Sequence, residues 1–218
     1  MAKKVGVLLS GCGVYDGTEI HEAVITLLTL DRAGAEIVCM APDIDQTQVV
    51  NHITQKPMAE KRNVLVESAR IARGNIKNLK DVKASDIDAL IMPGGLGAAS
   101  NLSDFAAKGP EGSVCPEVKR ILQEMIESNK PVGAICIAPA TLSMALSDKK
   151  PEVTIGSDLN TAQALESIGA KHVQCSVDTI HVDQNNKIVT TPAYMLGPGI
   201  KDIASGIEKL VNEVISLI

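Results

Sequence analysis

The sequence predicts an α/β fold built on a doubly wound, mostly parallel sheet. Three observations carry that prediction. Short apolar runs and amphipathic helical patterns alternate from end to end. The apolar runs are nearly continuous, as in strands buried on both faces. No linker rich in Gly, Ser or Pro and no internal repeat divides the 218 residues, so one domain over 1–218 is the economical reading.

The elements follow in order. Val5–Leu9 reads as the first buried strand. Asp16-Gly-Thr-Glu19 predicts a capping-box start for a helix with Ile20, Ala23, Val24, Leu27 and Leu28 on one face. Ala33-Gly34 is expected to close it, with Gly34 as the C-cap. Glu36–Met40 is strand two. Residues 42–86 are too long for a plain connection. Polar Asp43–Gln48 opens this segment, and Asn63–Arg73 has helical spacing at Val64, Ala69, Ile71 and Ala72. It reads as an insertion over one sheet edge, serving as a site wall or a dimer contact. Asp88–Met92 is a further strand, ending in Pro93-Gly-Gly95. Val118, Ile121, Leu122 and Met125 mark an amphipathic helix, and Pro131–Cys136 the next strand. Ile180–Val182 and Lys187–Thr190 flank a tight connection at Asp183-Gln-Asn-Asn. Ile203, Ile207, Leu210, Val211 and Val214 predict a closing helix.

Composition narrows the function. Hydrophobic residues make up 45% of the chain, which places it among globular proteins. A net charge of −5, two Tyr and one Phe leave neither a basic footprint nor a stacking platform for nucleic acid. No apolar stretch approaches the ~20 residues of a membrane span. The start, Met1 to Cys12, has the look of a lipoprotein signal. Its apolar core, Val5–Leu9, is shorter than the roughly 7–15 residues such a signal needs, so a buried strand is expected there. Five Cys without paired spacing imply reduced thiols, hence a cytoplasmic protein.

The chemistry concentrates at Pro131-Val-Gly-Ala-Ile-Cys136-Ile-Ala-Pro139. Pro139 suits the first turn of a helix. A strand turning sharply into a helix puts Cys136 at the carboxyl edge of the sheet, where such folds keep their active sites. A helix N-terminus there favours thiolate over thiol. The pattern is that of a nucleophile elbow, and equally that of a small buried hydrophobe. An elbow thiol needs an oxyanion site, for which the amides of Ile137 and Gly95 are candidates. It also needs a proton partner. Glu22 is one, although it lies off the apolar stripe of its helix, where a carboxylate is normally solvated. His21 lies about 100° round that helix and is expected to face elsewhere. His52, His172 and His181 are isolated, and neither His-x-x-x-His nor Cys-x-x-Cys occurs, which disfavours a metal site. Cys12, at the carboxyl end of strand one, reads as a pocket-lining residue or a second thiol.

Four segments together resemble the ThiJ/PfpI superfamily of class I glutamine amidotransferase-like proteins, in a branch linked by name to isoprenoid biosynthesis. They are Leu9–Glu22, Asn63–Gly74, Met92–Leu102 and Ala134–Pro139. The resemblance implies a flavodoxin-like three-layer sandwich, a homodimer, and no metal or organic cofactor. It carries the superfamily's helix-one Glu, which contacts the elbow Cys, onto Glu22. It matches the Gly95 and Ile137 amides to the family's oxyanion donors.

Two departures matter. Hydrolytic relatives supply a His after the nucleophile or later in the chain. Here Ile137 follows Cys136, and Val153-Thr-Ile-Gly-Ser157 holds no His. Amide hydrolysis then lacks its usual proton shuttle, which argues against a glutaminase. A Cys136–Glu22 dyad suits a reactive aldehyde. The expected activity is a cofactor-independent glyoxalase acting on glyoxal or methylglyoxal, with Cys136 and Glu22 catalytic and Gly95, Ile137 and Cys12 at the substrate. The alternative is a non-enzymatic thiol sensor or regulatory protein.

Overall fold

A computed structural model describes residues 2–218, so only Met1 of the expected span lies outside the described residues. Among the described residues, eleven strands run in chain order. They are β1 (Lys4–Leu8), β2 (Glu36–Ala41), β3 (Val50–Asn51), β4 (Lys56–Pro57), β5 (Lys77–Asn78), β6 (Ala89–Met92), β7 (Val132–Ile135), β8 (Glu152–Val153), β9 (Lys171–His172), β10 (His181–Asp183) and β11 (Ile188–Thr191). The helices are α1 (Ile20–Arg32), α2 (Val64–Ile71), α3 (Leu96–Ser100), α4 (Phe105–Lys108), α5 (Pro116–Glu127), α6 (Ala138–Ala145), α7 (Leu159–Ile168) and α8 (Ile200–Ser216).

Seven strands form the main sheet, in the order β10-β11-β7-β6-β1-β2-β5. Every pairing is parallel except the β10–β11 hairpin. The expected α/β sandwich is therefore present. Its runs look continuous in sequence because each strand serves two cores. Val5, Val7, Ala89, Ile91 and Ile135 pack under α1 and α8. Leu8, Leu90, Met92, Val132 and Ala134 pack under α5 and α6 on the other face. Among the described residues, no helix is long and apolar enough to cross a membrane.

Helix α1 departs from its expected form twice. Glu19, not Asp16, is the N-cap: its carboxylate accepts the Glu22 amide at 2.7 Å. Asp16 is buried, and its carboxylate accepts the Val50 amide at 2.8 Å. The apolar stripe is also rotated. Ile20, Val24 and Leu28 are exposed, while Glu22, Ala23, Ile25, Thr26, Thr29 and Leu30 are buried. The threonines can bury because their hydroxyls donate to Glu22 O and Ile25 O, one turn back. The helix closes on Ala33–Gly34.

The 42–86 segment does more than lie over an edge. Its β5 pairs with β2 and becomes the edge strand. Its β3–β4 hairpin and α2 flank the loop after β1: Val50 binds Asp16, and the Ser68 hydroxyl accepts the Gly11 amide at 2.9 Å. The Val153–Ser157 region contributes β8, which pairs with β9 outside the main sheet.

Candidate active site

The elbow forms where β7 runs out. All four residues of the strand are buried. Cys136 then takes φ 63°, a left-handed value that a residue with a Cβ rarely adopts. Its amide is fixed by Thr191 O at 2.9 Å on the neighbouring β11. Ile137 caps α6, with Pro139 in its first turn. The amides of Ile137 and Gly95 lie close enough to the Cys136 sulfur to favour its thiolate. They are the two amides that the sequence offers as candidate oxyanion donors.

Glu22 reaches the same point from α1. It is fully buried, and its carboxyl stands close enough to Cys136 for the thiol to act on its ionisation. Its Oε2 accepts the Gly94 amide at 2.8 Å, and its Oε1 accepts the Tyr194 amide at 3.4 Å. Gly94 is wedged between the two side chains. A Cβ there would stand 2.6 Å from Cys136 Cβ and 2.8 Å from Glu22 Oε2. Gly95 has φ 89°, and an added Cβ would collide with the main chain of Glu19 and Gly17.

Burial dominates the electrostatics. It pushes the Glu22 carboxyl up to about 8, with help from the Glu19 charge and against the hydrogen bonds from Cys136, Gly94 and Tyr194. Burial and the Glu22 charge also push the Cys136 thiol well above its ordinary value, although the Gly95 and Ile137 amides pull it down. The thiolate enrichment expected from the helix N-terminus is therefore outweighed. At neutral pH both partners hold their protons, and the carboxyl is the first to release one. Cys136 is 7% exposed, so only a small reactant can approach the sulfur.

The other expected residues fall nearby or elsewhere. Cys12 is half-buried on the loop after β1. Its thiol is raised first by burial and then by Glu67, against Arg70, with Asp16 and Arg62 also acting on it. That sets it against α2 of the insertion. His21, exposed and a step round the helix from Glu22, turns its Nδ1 to the Tyr194 hydroxyl, with which it shares a 2.7 Å hydrogen bond. The sequence alone does not point to Tyr194, Thr191 or Gly94. The Gly94–Gly95 pair was visible there, but nothing local marks Tyr194. Among the described residues, no group of three or more His, Cys, Asp or Glu is placed to hold a metal ion. A concavity of about 640 Å³ lined by Lys4, Glu36, Lys77 and Asp88 lies at the amino edge of the strands, opposite Cys136.

A parallel α/β sandwich with a strained thiol elbow and a helix-one carboxyl at its rim defines a class I glutamine amidotransferase-like protein. More narrowly, the chain belongs to the DJ-1/PfpI family, whose model matches residues 12–194. It is 46% identical over 226 residues to the human "Glutamine amidotransferase-like class 1 domain-containing protein 3, mitochondrial", covering 99% of this chain and 84% of that protein. It is 47% identical to the rat "ES1 protein homolog, mitochondrial", covering 98% and 84%. An Ehrlichia chaffeensis isoprenoid biosynthesis protein with an amidotransferase-like domain superposes with TM-score 0.94 at 37% identity, over 99% of both chains. Glyoxalase III of Candida albicans shares the fold, with TM-score 0.64 at 16% identity over 99% and 97%. The expectation of a cytoplasmic protein is overturned by the mitochondrial names of the human and rat relatives. Unpaired cysteines separate reducing from oxidising compartments, not one reducing compartment from another.

Proposed function

We propose that this chain is a glutathione- and metal-independent glyoxalase. The observation that carries the reading is the buried Glu22 carboxyl set against Cys136 across Gly94, where a single added Cβ would stand 2.6 Å from Cys136 Cβ and 2.8 Å from Glu22 Oε2. Cys136 sulfur adds to the aldehyde carbon of methylglyoxal. Its proton passes through Glu22 to the new oxygen, which the Gly95 and Ile137 amides hold as it develops charge. The adduct is a hemithioacetal. Glu22, again a carboxylate, takes the proton from that carbon and returns it on the neighbouring carbonyl carbon through an enediol. The resulting Cys136 thioester of lactate is cleaved by water, and the sulfur regains its proton. The sum is dicarbonyl plus water to 2-hydroxy acid, so no electrons leave the substrate. Glyoxal gives glycolate by the same route. Cys12 lines the approach, and the protein acts as a homodimer, which sedimentation tests.

The experiment incubates the purified chain with each dicarbonyl, without glutathione or metal, and follows hydroxy-acid formation. Product above a Cys136→Ala control is expected; product equal to that control would sink the reading. A thiol sensor is the second reading. It is favoured by the proton that Glu22 retains near neutrality, since a carboxylic acid can donate to a sulfinate oxygen on Cys136. Stoichiometric oxidation of Cys136 by mild peroxide, seen by mass spectrometry without dicarbonyl turnover, would favour it.

A further inference from the structure

Glu22 is supported from three directions: by Gly94, by Cys136 and by the amide of Tyr194. The third support comes from the segment after β11, which has so far carried no role. That segment is strained. Ala193 takes φ 42° although it bears a Cβ, a conformation that persists only where the surroundings enforce it. Ala193 is buried in the core and Thr191 Oγ1 donates to Thr179 O at 2.8 Å, and two further contacts tie the segment to the site. On one side Thr191 O accepts the Cys136 amide. On the other the Tyr194 hydroxyl meets His21 Nδ1 at 2.7 Å, with the two rings 5.9 Å apart. His21 and Glu22 are consecutive in α1. Tyr194 therefore grips one with its hydroxyl and the other with its amide.

We infer that the His21–Tyr194 hydrogen bond is a latch that keeps the strained loop seated so that the Tyr194 amide supports the Glu22 carboxylate. His21 and Tyr194 are then positioning residues of the site. The inference rests on Glu22 being the group that must ionise in the proposed reaction. Glu22 is faced by Glu19 from its own helix, by Cys136 from the elbow, and by the Gly94 and Tyr194 amides. Opening the latch weakens only the last of these. Losing a donor to the ionised form makes ionisation harder. Tyr194→Phe is the cleaner variant, since it removes the hydroxyl and leaves every neighbouring charge in place. His21→Gln also removes the ring 3.9 Å from Glu19 Oε1.

The test is a carbon-13 NMR titration of the Glu22 carboxyl in the full chain, assigned by its loss in Glu22→Gln. The midpoint should move alkaline by about half a pH unit to one unit in Tyr194→Phe. His21→Gln should move it the same way, and the double variant should move it no further than the larger single. A midpoint unchanged in Tyr194→Phe, or shifts that add in the double, would overturn the latch. A side chain needed only for stability would lower the melting temperature and leave the midpoint alone. The titration needs no turnover, so a wild-type chain inert towards dicarbonyls would remove the glyoxalase reading and still leave the latch to be judged. Where turnover is present, kcat at neutral pH should fall several-fold in Tyr194→Phe with KM unchanged, and recover at higher pH.

Discussion

The Glu22 carboxyl and the Cys136 side chain meet across Gly94 at the carboxyl edge of the sheet, with the carboxyl fully buried. One group cannot change its proton without the other responding, so the pair titrates as a unit. Its first proton leaves near pH 8. The proposed reaction needs Glu22 as a base at two points, so turnover should rise with pH through about 8. Initial rates from pH 6 to 9 check this. A flat profile would mean that Glu22 ionisation does not limit the reaction. Glu22→Gln should lower turnover by roughly 10²–10⁴-fold with the fold intact by circular dichroism.

The same carboxyl makes stability depend on pH, and the sign is opposite to that of an ion-paired acid. Glu22 moves from an ordinary 4.5 to about 8 on folding, so the native state binds a proton more tightly than the unfolded chain. Its contribution is fully present below about 4.5 and is lost as pH rises through about 8, at up to ~1.4 kcal/mol per pH unit. Urea denaturation across that window should show wild-type stability falling relative to Glu22→Gln. Equal slopes in the two proteins would show that Glu22 is not held protonated.

Gly94 and Gly95 should each tolerate nothing larger. A methyl at Gly94 would press on Cys136 Cβ and Glu22 Oε2 together. Overpacking of this kind typically costs ~1–3 kcal/mol, and here it would also part the dyad. At Gly95 the left-handed backbone and the collision with the Glu19 and Gly17 main chain combine. Alanine there should withdraw one donor from the sulfur and cost on the order of 10²–10³ in turnover. Calorimetry and rates on Gly94→Ala and Gly95→Ala measure both effects.

The sheet and the elbow were legible because their signals are local. A buried β7 running into Cys136 and Pro139 occupies nine consecutive positions, Pro131 to Pro139, and Gly95 announces its own turn. Glu22 was not legible from spacing. The stripe of Ile20, Val24 and Leu28 points outward, and a carboxyl takes the buried face, which reverses the usual rule for an amphipathic helix. Only the likeness of the surrounding segments to a known family identified it. Tyr194 was beyond reach for another reason. Its contribution is a backbone amide delivered by a loop whose shape depends on β11, α1 and the strained Ala193. No side-chain pattern encodes such a donor.

Asn101 should prove as sensitive as a core residue although it touches neither reacting group. It is 6% exposed. Its Nδ2 donates to Ser10 O and Asp16 O, each at 2.9 Å, and its Oδ1 accepts the Thr47 amide at 2.9 Å. One side chain thus ties the loop after β1 to the 42–86 segment. That loop in turn positions the 94–97 turn through main-chain bonds from Leu96 N to Val14 O, Gly97 N to Gly17 O, and Glu19 N to Gly94 O. Asn101→Ala takes the hydrogen bond from the Ser10 carbonyl and the Thr47 amide and leaves the Asp16 carbonyl with Gln46 Nε2 alone, and an unmet buried group costs ~1–3 kcal/mol. Stability should fall by ~1–3 kcal/mol in urea, and turnover should fall with it as Gly94 and Gly95 lose register. Asn101→Asp is the sharper comparison. It keeps the acceptor for Thr47 but turns a carboxylate towards the Ser10 and Asp16 carbonyls, so it should be no better than alanine near neutral pH and should recover as the carboxyl is protonated at low pH. An aspartate variant as stable as wild type at pH 7 would show that the loop is held by its main-chain bonds alone.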